Sequence, residues 1–265
     1  MSALFTRDGD MVIPSQLTQG PWMVGAQHGG PPSALLTVLI ESMTRPDQLI
    51  ARINVELLAP VPLTPLRVNA RVEQISRRVG IAHAELISDG QTVARATGRL
   101  LATGDAPQAP VVEPPANVPE PEELPAYRAP AWAVGRNAET FHRDALEYRW
   151  VSGGFEEPGP AHCWHRLAVS IVEGIELTGH QRVMAAADIA SGIGAIYSPS
   201  SGYGLINSDL DVAFVRSAEG PWTLTNATTH TASNATGLCT NTMSDQRGVV
   251  ATGTQTLLGR SFVFE

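Results

Sequence analysis

The chain is short of several things, and each shortage closes off a class of function. Its 265 residues include only two cysteines, Cys163 and Cys239. That is too few for a disulfide framework or a cysteine-rich metal site, and it fits a reducing cytoplasm. Basic residues number 18 against 26 acidic ones, a net charge of −8. A nucleic-acid partner, which needs clustered cations to neutralise phosphate, is therefore not expected. No apolar run approaches the roughly eighteen residues of a membrane-spanning helix. Residues Met1 to Gly30 carry Arg7, Asp8 and Asp10 where a signal peptide would have an apolar core, so a cytoplasmic address is expected. What the chain does have is 43% hydrophobic residues and only 17% charged ones, enough to bury a large core and, at this length, to build two domains.

It also has an internal duplication. At a shift of 157 residues Val55 falls on Val212, Ala70 on Ala227, Gly80 on Gly237, Val93-Ala94 on Val250-Ala251 and Leu100-Leu101 on Leu257-Leu258, without a gap. A self-match at one offset over about fifty positions means two copies of one supersecondary unit. Chemistry is then sought where the copies differ. Arg52 faces Asp209, Val72 faces Thr229 and Gly98 faces Gln255, so the second copy gains a carboxylate, a hydroxyl and an amide.

The first copy reads as a buried helix over Ser33 to Met43 behind His28-Gly29-Gly30-Pro31-Pro32, since prolines are tolerated in a first turn. Strands follow over Ile50 to Leu58, Leu66 to Ser76, Gly80 to Ser88 and Thr92 to Ala102, punctuated by Pro60, Pro62, Pro65 and Asp89-Gly90. From Gly104 to Pro130 prolines and Glu113, Glu120, Glu122 and Glu123 predict an extended connector that packs no core. The second copy repeats the order, with extended pieces around Phe141 to Val151 and Ala161 to Val172 and a helix from about Arg182 to Tyr197. Its strands are expected near Leu205–Arg216, Trp222–Ala232, Thr236–Ser244 and Val249–Leu258. Gly30 and Ala187 should begin equivalent helices. The expected division is 1–104, a linker over 105–130, and 131–265, an α+β arrangement of two helix-wrapped antiparallel sheets able to join edge to edge.

Several residues invite chemical readings. Asp209 lies in a strand that otherwise carries apolar residues (Leu210, Val212, Phe214), and Asp211 is a competitor on the same face. Gln255 sits where an amide has no packing rationale and must find hydrogen-bond partners. Thr228, Thr229, His230 and Thr231 run together, with Thr229 and Thr231 on one strand face, and threonine is also simply β-favouring. Gly29 and Gly30 either present helix-start N–H groups to a developing negative charge or only let the loop turn. His28-Gly29-Gly30 has no Gly-x-Ser-x-Gly elbow to complete a serine-nucleophile mechanism. Asp188, read at the start of the second helix, suits capping. His162-Cys163-Trp164-His165 lacks further metal ligands, and Gly192-Ile193-Gly194 is an incomplete dinucleotide fingerprint.

Taken together, Gln27 to Leu36, Leu57-Leu58-Ala59-Pro60, Ala187 to Gly192, Asn207-Ser208-Asp209-Leu210 to Arg216, and Ala251 to Leu258 resemble the double-hotdog acyl-CoA thioesterases of the thioesterase II type, over nearly the whole chain. The resemblance implies a double hotdog, hydrolysis of fatty acyl-CoA by an activated water, no metal or redox cofactor, and a homodimer or higher homo-oligomer. It also implies a catalytic Asp209 with Gln255 and Thr229. His28, Gly29, Gly30, Asp188 and Thr231 would stand on the substrate or oxyanion side, and Arg77 and Arg78 near the phosphates of CoA. A rival on the same scaffold, an acyl-CoA hydratase, would need an Asp beside its helix-start His, and the position five before His28 is Met23. A non-catalytic acyl-CoA or lipid-binding module would keep the tunnel and tolerate loss of the polar trio.

Overall fold

The computed structural model describes residues 2–107, 117–130 and 139–261. An N-terminal hairpin, β1 (Ala3–Asp8) and β2 (Met11–Pro14), precedes α1 (Gly30–Glu41), β3 (Gln48–Leu57), β4 (Leu66–Gln74), β5 (Val79–Ser88) and β6 (Gln91–Ala102). The second half contains β7 (Leu146–Gly154), β8 (Glu157–Leu167), β9 (Ser170–Val172), α2 (Gly179–Ala187), α3 (Ala190–Ile193), β10 (Tyr203–Asn207), β11 (Asp209–Phe214), β12 (Thr223–Thr231), β13 (Thr236–Asp245) and β14 (Gly248–Ser261). The strands form one sheet in the order β7-β8-β12-β13-β14-β11-β3-β6-β5-β4-β2-β1-β9, with β10 on β14. The two repeats meet edge to edge at β3 and β11, which pair antiparallel. Arg52 Nε of β3 donates to Asp211 Oδ1 of β11 across that seam at 2.7 Å.

The duplication holds in register as well as in sequence. At the repeat offset the starts of β4, β5 and β6 map onto those of β12, β13 and β14. Ile50 pairs with Leu100 as Asn207 pairs with Leu257, and Val55 with Ala96 as Val212 with Gly253. The ladder irregularity between Ile50 and Arg52 has its counterpart in the break at Ser208 between β10 and β11. The core lies between this sheet and the helices, and α1 is buried along most of its length.

The helices break the symmetry, and Gly30 and Ala187 do not begin equivalent helices. Gly30 opens α1, whereas Ala187 closes α2, and residues 188–189 interrupt the expected helix over 182–197. The cause lies under the helix. A Cβ on Gly98 would come within 2.8 Å of Ile40, so glycine lets α1 settle on β6. Its counterpart Gln255 instead wedges a buried amide into the interruption, accepting from Ser191 N at 3.0 Å and donating to Asp188 O at 3.0 Å.

Two further expectations are corrected. The segment ahead of the first helix, to which the sequence assigns no element, is a hairpin, because Leu4, Phe5 and Val12 are buried and its strands extend the sheet through β4 and β9. Residues 117–130 of the Pro-rich connector do pack. Val118 and Leu124 lie on Trp164, Trp222 and Leu224, and the two indole N–H groups donate to Pro119 O and Glu122 Oε1, which satisfies polar groups that burial would otherwise leave unpaired. Residues 108–116, with Glu113, lie outside the described residues.

His165 makes the fold sensitive to acid. Its ring is buried with one nitrogen 2.7 Å from Thr225 Oγ1, and burial pushes its pKa down to about 3. An unfolded histidine titrates near 6.5, so between those values the unfolded chain binds a proton that the native one refuses. The stabilisation is complete above pH 6.5, declines by about 1.4 kcal/mol per pH unit below it, and is gone once the pH falls through about 3. His165→Gln is expected to flatten the loss of stability between pH 6.5 and 4.5. Denaturant melts at both ends of that window check this, and an unchanged slope refutes it.

Candidate active site

Strand alternation decides which carboxylate faces the interior. Leu210 and Val212 are buried against the core, so Asp209 and Asp211 stand on the opposite face of β11. Asp211 is taken by Arg52, and Asp209 Oδ1 accepts from both the backbone N–H and the hydroxyl of Thr256 at 2.7 Å. Gln255, the next residue to Thr256, points inward. Asp209 and Gln255 therefore point to opposite sides of the sheet, the structure does not bring them together, and Asp209 does not line the cavity described below.

The carboxylate that does face inward is Asp188. It caps the C-terminus of α2 rather than the start of a helix, an unfavourable place for an anion with respect to its own helix. Its surroundings compensate. Oδ2 lies 2.7 Å from His28 Nδ1, and Oδ1 accepts from Asn207 Nδ2 at 2.7 Å. It also sits above the N-terminal end of α1, so close to Gly29 that a Cβ there would be 2.4 Å from Oδ1. Asp188 is buried, its side chain only 2% exposed, while His28 retains 12%. A carboxylate at this distance fixes the proton of a neutral imidazole on Nδ1 and leaves Nε2 as an acceptor. The Gly30 N–H approaches the same Nδ1 at 3.3 Å, the weaker of the two contacts. The histidine–aspartate pair, which position 23 does not supply, is thus completed from the second repeat.

His28, Gly29 and Asp188 line a cavity of about 460 Å³ between the repeats. Thr229 also lines it, its hydroxyl buried beside the Cys239 thiol of the neighbouring strand. Thr231 is exposed and spends its hydroxyl on Thr236 O at 2.7 Å. Gly30 lies beneath the site, where a Cβ would meet Ala185 O at 2.4 Å. Gln255 does not line the cavity, since both ends of its amide hold the backbone around Asp188. Arg77 and Arg78 occupy the turn between β4 and β5 and do not reach it. Among the described residues no cluster of three or more His, Cys, Asp or Glu is placed to hold a metal, and no helix is long and apolar enough to cross a membrane.

Two site residues escaped the sequence reading. Asn207 is the repeat counterpart of Ile50, an amide where the first copy is apolar, so the comparison that singled out Gln255 also exposes it. His142, 6.2 Å from His28 between ring centroids, lies before β7 where the repeat offers no comparison. Burial, with His28 nearby, pushes its pKa down to about 3.

A family model described as the acyl-CoA thioesterase N-terminal domain matches residues 18–101, and one described as the acyl-CoA thioesterase C-terminal domain matches residues 115–258. The chain belongs to the acyl-CoA thioesterase family. It is a thioester hydrolase acting on acyl-CoA, built as a double hotdog. No curated protein matches the sequence. Among solved structures, a protein designated a thioesterase from Novosphingobium aromaticivorans DSM 12444 is 22% identical with a TM-score of 0.74, covering 97% of this chain and 99% of that one. A hot dog protein from Alicyclobacillus acidocaldarius is 17% identical with a TM-score of 0.73, covering 98% and 96%. An acyl-CoA thioesterase II from Mycobacterium marinum is 15% identical with a TM-score of 0.65, covering 96% and 94%. These likenesses concern the fold, and the thioesterase assignment rests on the family models.

Proposed function

We propose that hydrolysis is carried by the Asp188–His28 pair, with the thioester carbon held in the cavity between the repeats. The observation that carries this reading is the 2.7 Å contact between a buried carboxylate and a histidine on the cavity wall. His28 Nε2 accepts a proton from water as the water attacks the carbonyl, and Asp188 holds the Nδ1–H tautomer and stabilises the imidazolium that forms. Gln255 and Asn207 are positioning residues that fix the backbone and the carboxylate of Asp188. The Thr229 hydroxyl on the cavity wall is a donor to the substrate, whose fatty acyl chain lies along the apolar wall. Collapse of the tetrahedral intermediate breaks the C–S bond, the imidazolium returns its proton from Nε2 to the departing thiolate sulfur, and the products are a free acid and CoA with His28 neutral again.

The same reading has the two repeats, 1–104 and 131–265, joined by 105–130, acting in lipid metabolism in a reducing cytoplasm as a homodimer or higher oligomer. The two buried free thiols support that compartment. The test is release of free CoA from acyl-CoAs of graded chain length, run beside hydration of an enoyl-CoA. Release without hydration supports the reading. Hydration without release assigns the pair to the hydratase chemistry, and binding without either reaction assigns the cavity to a lipid-binding module.

A further inference from the structure

We propose that Arg260, together with the tyrosine pair Tyr197–Tyr203, forms the docking point for the phosphate-bearing nucleotide end of CoA, an inference that rests on placing the thioester at Asp188. Among the described residues Arg260 is the one arginine lining the cavity, and the chain contains no lysine, so the fixed cation that the described residues place at the mouth is this guanidinium. It is exposed and makes no ion pair or hydrogen bond among the described residues, whereas Arg45, Arg52, Arg95 and Arg216 are all paired with carboxylates. A protein of net charge −8 repels a polyanionic substrate at long range, which makes one unneutralised guanidinium at the entrance decisive for where the phosphates settle.

The neighbours fit the rest of a nucleotide. Arg260 pairs with Gly204 across β10 and β14, beside Tyr203. The Tyr203 ring lies over Gly259, where a Cβ would collide with its hydroxyl. Tyr197 meets Tyr203 edge to face at 4.9 Å and is 37% exposed. An exposed aromatic face beside a guanidinium offers stacking to a base and charge-assisted hydrogen bonds to a phosphate. The spacing also fits. Asn207, which holds Asp188, pairs with Leu257, three residues before Arg260 on β14. That separation is about 10 Å along the strand, and the guanidinium extends further outward, a span the flexible pantetheine arm can bridge.

Isothermal titration of free CoA and of pantetheine into wild type and Arg260→Gln tests this without requiring turnover. Wild type is expected to bind CoA at least about tenfold more tightly than pantetheine, an advantage that weakens with salt and shrinks about 5- to 20-fold in Arg260→Gln. Dephospho-CoA, lacking only the 3′-phosphate, reports which phosphate the guanidinium holds. Equal affinities for CoA and pantetheine in wild type, or an undiminished advantage in Arg260→Gln, overturns the proposal. Failure of the hydrolase reading looks different: CoA binds as described and no substrate is cleaved.

Discussion

Asp188→Asn is expected to lower kcat for acyl-CoA hydrolysis by on the order of 10²–10⁴-fold while leaving substrate affinity nearly unchanged. The substitution preserves shape and removes charge. His28 then loses both the carboxylate that fixes its proton on Nδ1 and the anion that would stabilise its protonated form, and the hydrogen bond from Asn207 weakens from a charge-assisted to a neutral one. Two other carboxylates serve as controls. Asp209→Asn alters a group on the outer face that, among the described residues, bonds Thr256 alone, so turnover should stay within about threefold of wild type, the scale of a surface change away from the site. Glu41 is more demanding, because the antiparallel pair α1 and α2 makes a second carboxylate–histidine contact at its other end. There Glu41 Oε1 lies 3.2 Å from His180 Nδ1 and accepts from Thr178 Oγ1 at 2.8 Å. That carboxylate ties the helices together and does not line the cavity, so Glu41→Gln should cost about 1–3 kcal/mol of stability with kcat retained. An active Asp188→Asn enzyme beside an inactive Asp209→Asn one would overturn the assignment, provided both melt like wild type.

The sheet was legible in the sequence because its two determinants are local, alternation and turn residues, and because the duplication let each copy check the other. The starts of β4, β5 and β6 map directly onto those of β12, β13 and β14. The helices were less legible because their position depends on what lies beneath them. Replacing Gly98 by Gln255 changes a packing surface into a hydrogen-bonding wedge, and the consequence, an interrupted helix with Asp188 at the interruption, appears only in three dimensions. The Asp209 assignment failed for another reason. Buried Leu210, Val212 and Phe214 alternate with it and turn it outward, against the inward position that the family resemblance implies. Asp188 gave no local signal of its role, since its partner His28 is supplied by the other repeat.

Gly29→Ala is expected to reduce kcat by on the order of 10²-fold in a protein that still folds, since a misplacement of about 1 Å in a catalytic group carries that kind of penalty. The backbone at Gly29 is ordinary, with φ of −66°, so alanine brings no conformational strain. What it brings is a methyl group 2.4 Å from Asp188 Oδ1 and 2.8 Å from Oδ2, distances that real contacts do not tolerate. The backbone of α1 is held by burial along most of its length, so the carboxylate must yield, and in moving it leaves His28 and Asn207. Gly30→Ala makes the contrast, because its added methyl meets the Ala185 carbonyl at 2.4 Å and the Phe141 ring at 2.7 Å. Neither can swing aside, so α1 and α2 must part at a cost of about 1–3 kcal/mol. Measured together, kcat and Tm should separate the neighbours: Gly29→Ala loses rate at near-native Tm, and Gly30→Ala loses Tm first. A Gly29→Ala enzyme with wild-type kcat would show that the carboxylate beside it is not what activates the water.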